Sequence, residues 1–239
     1  MTDFVLVHGA FRGGWSWRFV RERLEAAGHR VWTPSLTGMG DRAHLVAAEG
    51  PVLRLATWVE DVAAVVRSND LRDVVLAGHS LGGFVADAAT AAIHDRLAAV
   101  VLFDAPVGRD GERAVDLNPP GVPTPRAEDL DLSLALPARP VGADEGFEPE
   151  LAAWVNDRLG PTPLGPSFDP IELDAAARAV PRSYVFFSDT PETFPCWSTR
   201  RRLEAEGTAF TVIDGPHDAP LVRPAEVAAF LRGRPEAAQ

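Results

Sequence analysis

The sequence predicts a doubly wound α/β fold built on a six-stranded, mostly parallel sheet. Short apolar segments recur along the chain, and segments with helical periodicity lie between them. None of the apolar segments alternates strictly with polar residues, which indicates strands that are covered on both faces. Strands and helices that alternate in this way are typical of a parallel sheet with helices on both sides. The length of 239 residues fits one domain, residues 1–239.

Six segments are predicted as strands because each is short, apolar and bounded by turn residues. They are Phe4–Val7, His29–Thr33, Val74–Ala77, Ala99–Phe103, Ser183–Phe187 and Phe210–Ile213. Five segments with apolar residues at helical spacing are predicted as helices. They are Trp15–Ala27, Leu55–Arg67, Leu81–Leu97, Cys196–Glu206 and Pro224–Leu231. A glycine follows the first and the fourth of these helices, and a proline begins the fifth, which supports those boundaries.

One segment departs from the alternation of strands and helices. Residues 119–170 contain 11 of the 21 prolines and five glycines, and they show no strand pattern. We interpret them as part of an insertion, at about residues 110–178, that lies over the carboxyl edge of the sheet as a lid. A short helix is predicted within it, near Pro149–Leu159. An interdomain linker is the alternative, but the flanking strands are predicted to belong to one sheet.

Composition and charge exclude several classes of function. The net charge is −11, which disfavours nucleic acid and anionic membrane surfaces as partners. All 23 basic residues are arginine, and without lysine the chain cannot form a Schiff base or a Ser–Lys dyad. The single cysteine, Cys196, cannot form an internal disulfide or hold a metal by itself, so we expect neither metal nor cofactor. No basic leader and no apolar stretch of about 18 residues is visible, so the expected location is the cytoplasm.

The most informative motif runs from Gly78 through Ser80 to Gly82, after an apolar strand and before a helix. A strand-to-helix turn of this Gly-x-Ser-x-Gly type is so tight that its flanks require glycine, and it exposes the serine hydroxyl at its apex. The backbone N–H of Leu81 opens the helix and can donate to the oxygen of an attacked carbonyl. We therefore predict Ser80 as a nucleophile rather than an ordinary turn serine, and Leu81 as one oxyanion donor.

A second loop, His8-Gly9-Ala10, follows the first predicted strand. Acyl transfer needs two N–H donors on the developing oxyanion, and a glycine-containing loop lets backbone amides approach closely. Ala10 is the predicted second donor, whereas a plain turn with a core histidine is the alternative. If the first strand lies beside the third, this loop and Ser80 meet where the strand order reverses.

The general base is expected to be His217, which follows the last predicted strand on a loop C-terminal to the serine. His79 is expected to point away from the nucleophile beside it. Two acids could orient the base, because Asp104 and Asp189 both follow the carboxyl ends of strands. The chain order Ser80, Asp189, His217 matches the Ser–Asp–His order of folds that carry this serine turn. We favour Asp189 as the acid and keep Asp104 as the alternative.

These motifs resemble the methylesterase and hydroxynitrile lyase branch of the α/β-hydrolases, including bacterial carboxylesterases that hydrolyse pyrethroids. The segments that carry the resemblance are Phe4–Trp17, Leu24–Val31, Thr37–Leu45, Gly78–Gly83 and Gly215–Leu221. It covers about residues 4–106 and 183–231, and the proline-rich segment resembles only a shortened lid.

The resemblance implies a Ser–Asp–His triad with its acid after the fifth strand, here Asp189, and oxyanion donors at Ala10 and Leu81. It speaks against lyase chemistry, because lyases of this branch carry a lysine after the catalytic histidine, where this chain has Asp218. They also carry a threonine at the position of Ala10. The segment after the fifth strand departs from the usual pattern of the family, so Asp104 stays open as the alternative acid.

The sequence thus predicts a serine hydrolase that cleaves a carboxylic ester of a small hydrophobic substrate through an acyl-enzyme on Ser80. Aromatic residues near strand ends, helix starts and the insertion are predicted to line its pocket. They are Phe11, Trp15, Phe84, Trp154 and Phe194. The alternatives are lactone or thioester hydrolysis, carbon–carbon bond chemistry at the same site, and a non-catalytic ligand binder on a hydrolase scaffold. A homodimer is the expected assembly.

Overall fold

The computed structural model describes residues 1–46, 51–119 and 121–233. Within the predicted insertion Pro120 lies outside the described residues, as does the end of the predicted single domain at residues 234–239.

Six parallel strands form the main sheet, which confirms the predicted fold class. These strands are β1 (Asp3–Val7), β2 (Arg30–Trp32), β3 (Val74–His79), β4 (Leu97–Phe103), β7 (Arg182–Phe187) and β8 (Thr211–Ile213). Their order across the sheet is β2-β1-β3-β4-β7-β8, and every neighbouring pair is parallel. Two short strands, β5 (Ala135–Leu136) and β6 (Thr162–Pro163), pair antiparallel outside this sheet.

Helices cover both faces of the sheet, as a doubly wound fold requires. The described α-helices are α1 (Arg18–Ala26), α2 (Leu55–Ser68), α3 (Leu81–Ile93), α4 (Pro149–Asn156), α5 (Ala175–Ala179), α6 (Cys196–Glu206), α7 (Ala219–Val222) and α8 (Pro224–Arg232). Buried side chains of α2 and α3 pack on one face of the sheet, and those of α1 and α8 pack on the other. None of these described helices is long and apolar enough to cross a membrane.

The third predicted helix is too long. Helix α3 ends at Ile93, residues 94–96 form one 3₁₀ turn, and Leu97 already belongs to β4. No glycine or proline separates the helix from the strand, so the apolar spacing runs through the boundary. The turn between them is therefore invisible to a periodicity argument.

The strand order reverses between β1 and β3, where Val7 of β1 lies opposite Gly78 of β3. The chain leaves β1 toward one side of the sheet and leaves β3 toward the other, so the loops after these two strands flank one crevice. The sequence predicts that the loop carrying Ala10 and the turn carrying Ser80 meet at this crevice.

The predicted insertion lies between β4 and β7. It contains the predicted short helix, which is α4, and the β5–β6 pair, whose two-residue strands are too short to show a period in the sequence. One of its contacts with the rest of the fold is made by Thr162, whose Oγ1 accepts a 2.6 Å hydrogen bond from the backbone N–H of Phe11. The N–H of Gly160 donates to the Phe11 carbonyl at 3.1 Å. The insertion is thereby joined to the loop that follows β1.

Candidate active site

Ser80 lies at the sharp turn between β3 and α3, with φ 53° and ψ −131°. Glycine is required beside it, because a Cβ at Gly78 would lie 2.3 Å from the carbonyl oxygen of Gly82, and one at Gly82 would lie 2.2 Å from that of His8. The Ser80 N–H donates to the Phe103 carbonyl at 2.9 Å, which ties the turn to β4. A left-handed serine held in this way matches the strained turn that the sequence predicts.

Two backbone amides near Ser80 are free to bind an oxyanion. Ala10 and Leu81 line the same cavity as Ser80. Among the described residues neither of their N–H groups donates a hydrogen bond, whereas the neighbouring Phe11 N–H is already bound to Thr162. Leu81 also opens α3, where the helix dipole favours negative charge. Both N–H groups thus belong to residues that line the cavity with Ser80, and their role as oxyanion donors stays a prediction.

His8 holds the loop after β1 in shape from inside the protein. Its Nδ1 donates to the Gly9 carbonyl at 2.9 Å, and its Nε2 accepts from the Leu36 N–H at 3.0 Å. Burial lowers the pKa of His8 to about 4, so the ring is neutral and can accept at Nε2 while donating at Nδ1. His8 is therefore a structural residue beneath Ala10 rather than a general base.

His217 is paired with Asp104. Its Nδ1 lies 2.7 Å from Asp104 Oδ2, and Asp104 is 1% exposed. The same carboxylate accepts a hydrogen bond from the Phe187 N–H at 3.2 Å and another from the Thr190 hydroxyl. Asp104 itself has φ 46°, a left-handed conformation that aspartate tolerates better than most residues. Because Nδ1 is bound to the acid, Nε2 is left to face the cavity that also contains Ser80.

The expectation that Asp189 orients the histidine is not met by this geometry. Asp189 is exposed, and its carboxylate accepts a hydrogen bond from the Ser188 hydroxyl at 2.8 Å. Strand β7 ends at Phe187, so Asp189 lies two residues beyond the strand, and the buried space beside Asp104 is filled by Thr190 instead. The structure therefore pairs the histidine with the alternative acid, on the neighbouring strand.

Ser80 and His217 line one cavity, although among the described residues their side chains make no direct hydrogen bond to each other. Such contacts are often long in ligand-free active sites and shorten when substrate binds.

His79 also differs from expectation, because its side chain faces the loop that carries His217. Its Nε2 donates to the backbone carbonyl of His217 at 2.8 Å, and the two rings lie 4.7 Å apart between centroids. Burial, helped by the nearby His217, lowers the pKa of His79 to about 3, so the ring is a neutral donor. It fixes the backbone of His217 rather than transferring a proton.

Asp104, Cys196 and His217 are the set of metal-type ligands that the described part of the chain brings together, with ligand atoms within 4.8 Å of one another. Two of the three are already hydrogen-bonded to each other. Burial and the neighbouring Asp104 raise the pKa of the Cys196 thiol, which therefore stays protonated. The donor set fits an oriented imidazole better than a metal centre, which needs deprotonated ligands.

The cavity above Ser80 has a volume of about 380 Å³. Its apolar wall comes largely from the insertion and from the loops after β4 and β7. Pro106, Val115, Leu136, Val141 and Phe194 form that wall. Sequence reasoning missed most of these residues because the insertion has no repeating pattern from which to predict its inner face.

Two of the five predicted pocket residues, Phe11 and Phe194, line this cavity. The structure does not place the other three on it. Phe84 is fully buried in the core between the sheet and its helices. Trp15 packs edge to face on Trp154, with ring centroids 5.4 Å apart, in a separate cluster between the insertion and α1. Large aromatic rings near strand ends thus serve packing as often as binding.

Acidification is expected to destabilise the fold between pH 6.5 and about 4, because His8 and His79 are buried as neutral rings. The unfolded chain, with ordinary histidine pKa values of 6.5, takes up protons first as pH falls, so the stability contributed by the neutral rings is complete above pH 6.5 and is lost below it. Each ring is expected to remove up to ~1.4 kcal/mol of unfolding free energy per pH unit in that window.

Urea denaturation at about pH 7, 6 and 5 measures this loss. An unfolding free energy that stays constant over that range would contradict the buried, neutral state of both rings.

A family model described as the alpha/beta hydrolase family matches residues 4–230. The chain belongs to the α/β-hydrolase family. The resemblance read from the sequence motifs is therefore confirmed, and the protein is an enzyme of the hydrolase class.

Several relatives place this α/β-hydrolase within its family. It is 34% identical over 199 residues to a carbendazim hydrolyzing esterase from Nocardioides sp. (strain SG-4G), which covers 79% of this chain and 81% of that protein. It is 34% identical over 137 residues to a pyrethroid hydrolase from Sphingobium wenxiniae, which covers 54% of this chain and 46% of that protein. The solved structure of a methylesterase from Arabidopsis matches with a TM-score of 0.75 at 22% identity, covering 97% of this chain and 98% of that one, and shows the shared fold.

Proposed function

We propose that this α/β-hydrolase is a serine esterase that cleaves a carboxylic ester of a small hydrophobic substrate through an acyl-enzyme on Ser80. Asp104, rather than Asp189, is the acid of its triad. The observation that carries the proposal is the 2.7 Å contact between His217 Nδ1 and Asp104 Oδ2, in the cavity wall that also contains the left-handed Ser80.

In the first half of the reaction, Ser80 Oγ attacks the ester carbonyl while His217 Nε2 takes up the hydroxyl proton. Asp104 keeps the imidazole in the tautomer that exposes Nε2 and stabilises the imidazolium that forms. The N–H groups of Ala10 and Leu81 donate to the tetrahedral oxyanion, each worth about 3–4 kcal/mol of transition-state stabilisation. The imidazolium then protonates the leaving alcohol.

In the second half, His217 Nε2 removes a proton from water, which attacks the acyl group on Ser80. The second tetrahedral intermediate uses the same two amide donors, and its collapse returns the proton to Ser80 Oγ and releases the carboxylic acid. The residue set serves both halves unchanged, so no further proton carrier is needed.

The preference for a small hydrophobic substrate is supported by the cavity. Its volume of about 380 Å³ lies near the lower end of the usual range for small-molecule sites, and most of its wall is apolar. The names of the relatives, a carbendazim hydrolyzing esterase and a pyrethroid hydrolase, agree with an esterase site. The insertion supplies Val115, Leu136 and Val141 to the wall, so we assign it the role of a lid that shapes substrate choice.

The test uses the folded protein with p-nitrophenyl acetate and butyrate, followed by a fluorophosphonate probe. We expect steady turnover of both esters and a phosphonate adduct that peptide mass spectrometry maps to Ser80. Turnover should fall in proportion to the fraction of protein that is labelled, and excess probe should abolish it. Folded protein that neither labels nor hydrolyses would overturn the proposal in favour of a non-catalytic binder. Labelling of Ser80 with turnover of lactones or thioesters alone would move the substrate to that class.

The cytoplasmic location and the homodimer remain predictions from the sequence. Sedimentation of the purified protein would decide the second of these.

A further inference from the structure

One buried ion pair lies in the wall of the catalytic cavity and has no part in the proposed reaction. Arg12 Nε lies 3.2 Å from Asp218 Oδ1, and a second guanidinium nitrogen lies 2.7 Å from Asp218 Oδ2. The two side chains are only 10% and 11% exposed, and both line the cavity. Another ion pair among the described residues of this wall joins Arg139 to Glu145, and the Arg139 side chain is 79% exposed. A planar two-point contact between buried groups holds its geometry far better than an exposed pair.

The pair joins the two loops that carry the catalytic groups. Arg12 belongs to the oxyanion loop, residues 8–12, two positions after Ala10. Asp218 belongs to the histidine loop, residues 214–218, directly after His217. These loops are 206 residues apart in the chain, and the Arg12 and Asp218 side chains form a hydrogen-bonded link between them.

The histidine loop is also held to other elements. The His217 imidazole is paired with Asp104, His79 donates to the carbonyl of His217 at 2.8 Å, and the Asp189 N–H donates to the carbonyl of Gly215 at 2.9 Å. None of these contacts reaches the oxyanion loop. Arg12 and Asp218 therefore supply a direct link between the loop that carries Ala10 and the loop that carries the imidazole.

The charges of the pair also matter, because Asp218 lies beside the imidazole. Burial by itself would raise the pKa of the Asp218 carboxyl, but Arg12, with His217 and His79, holds it below its ordinary value. Asp218 is thus a carboxylate that directly follows His217 and lines the cavity in which the oxyanion is expected. Arg12 cancels a negative charge that would otherwise oppose the developing oxyanion.

We propose that Arg12 and Asp218 are a positioning pair, whose ion pair locks the oxyanion loop onto the histidine loop and neutralises Asp218 beside the imidazole. The inference rests on the proposed esterase function for its kinetic consequence. Its electrostatic consequence, for the imidazole of His217, does not depend on turnover.

The test compares Arg12→Gln, Asp218→Asn and the double variant with the wild type. Each single change is expected to lower kcat for p-nitrophenyl acetate by about 10–100-fold with KM changed far less, because a small misplacement of catalytic groups has effects of this size. The double variant should lose less than the product of the two single losses, since the second change removes a charge that the first left unpaired.

The signs of two shifts separate positioning by a charged pair from a merely structural role. Arg12→Gln leaves an unpaired carboxylate beside His217, so the acid limb of kcat/KM should move to higher pH by about one unit. Asp218→Asn leaves an unpaired guanidinium, so the limb should move to lower pH. The other titratable or charged groups that contact His217 or line the catalytic cavity with it are unchanged in these variants. They are Asp104, His79, Cys196, Arg139 and Glu145.

NMR titration of the His217 ring gives the same comparison without any substrate. Its midpoint should move up in Arg12→Gln and down in Asp218→Asn. If the His217 midpoint shifts in opposite directions in the two variants but no ester is hydrolysed, the positioning pair is retained and the esterase proposal is overturned. If ester is hydrolysed but the midpoint does not shift, or shifts in the same direction in both variants, the positioning pair is overturned and the esterase proposal is retained.

A matched control is the pair Arg182–Asp87, which is also buried, with side chains 11% and 1% exposed. Arg182 begins β7 at the amino edge of the sheet, opposite the active site. Arg182→Gln and Asp87→Asn are expected to lower the melting temperature and to leave kcat of the folded enzyme and the His217 titration unchanged. Equal kinetic losses in both pairs would reduce the Arg12–Asp218 effect to general stability and overturn the proposal.

Discussion

Ser80→Ala is expected to lower kcat for p-nitrophenyl esters by ~10⁶-fold, the size of effect found when a catalytic serine is removed. The substitution removes only the hydroxyl group, and alanine keeps the Cβ that packs against the turn. The loss of activity should therefore not come from unfolding. Binding of a non-hydrolysed ester analogue should stay within about threefold of the wild type, because the cavity wall is intact.

Ser167→Ala is the matched control, since Ser167 lines the same cavity but lies on the insertion, away from the turn between β3 and α3. It should retain kcat within about threefold. Hydrolysis by folded Ser80→Ala at the wild-type rate, with active-site titration used to measure any trace of wild-type enzyme, would remove Ser80 from its role.

Asp104→Asn is expected to lower kcat by about 10³–10⁴-fold, with a much smaller change in KM. An asparagine at this position can present its NH₂ group to Nδ1, which favours the tautomer with a proton on Nε2, and that tautomer cannot accept the serine proton. The geometry is nearly conserved by the change, so the melting temperature should fall by only a few degrees.

Asp189→Asn is the matched control for this prediction, because the two acids follow adjacent strands and the sequence predicts either of them as the triad acid. Asp189 is exposed and bound to Ser188 rather than to the histidine, so kcat should change by less than about threefold. The reverse outcome, a large loss for Asp189→Asn and none for Asp104→Asn, would assign the acid to Asp189.

Much of the fold could be predicted because its signals are local. All six strands of the main sheet appear where short apolar segments predicted them, with ends within a few residues. Steric clash makes glycine necessary at 78 because of the Gly82 backbone within the turn, and at 82 because of the backbone of His8 after β1. The turn at Ser80 could still be predicted, since its Gly-x-Ser-x-Gly pattern lies within five residues. The boundary of α3 could not, because no residue between Ile93 and Leu97 interrupts the apolar spacing.

The partner of His217 could not be decided from the chain. Asp104 and Asp189 both follow strands, and both satisfy the Ser–Asp–His order. The choice depends on how far the chain runs beyond each strand before it turns, and on Thr190, whose hydroxyl bonds the Asp104 carboxylate. The family resemblance favours Asp189, and the geometry instead pairs His217 with the acid one strand away.

Most of the residues that line the pocket could not be predicted from the sequence either. Phe84 lies one turn into α3, near Ser80 in sequence, yet its ring faces the core. Leu136 and Val141 are more than fifty residues from Ser80 and line its cavity. No periodicity within the insertion shows which of its side chains face inward, because its conformation depends on contacts such as that between Thr162 and Phe11.

By itself, the sequence determined the parallel sheet, the sharp turn at Ser80 and the place of His217 after the last strand, because these follow from hydrophobic periodicity and from the glycine pattern of the turn. Tertiary structure alone decided that Asp104 contacts His217, that Arg12 meets Asp218, and which side chains of the insertion form the cavity wall. These are contacts between groups far apart in the chain. Their formation depends on the packing of whole elements, which no local pattern of residues contains.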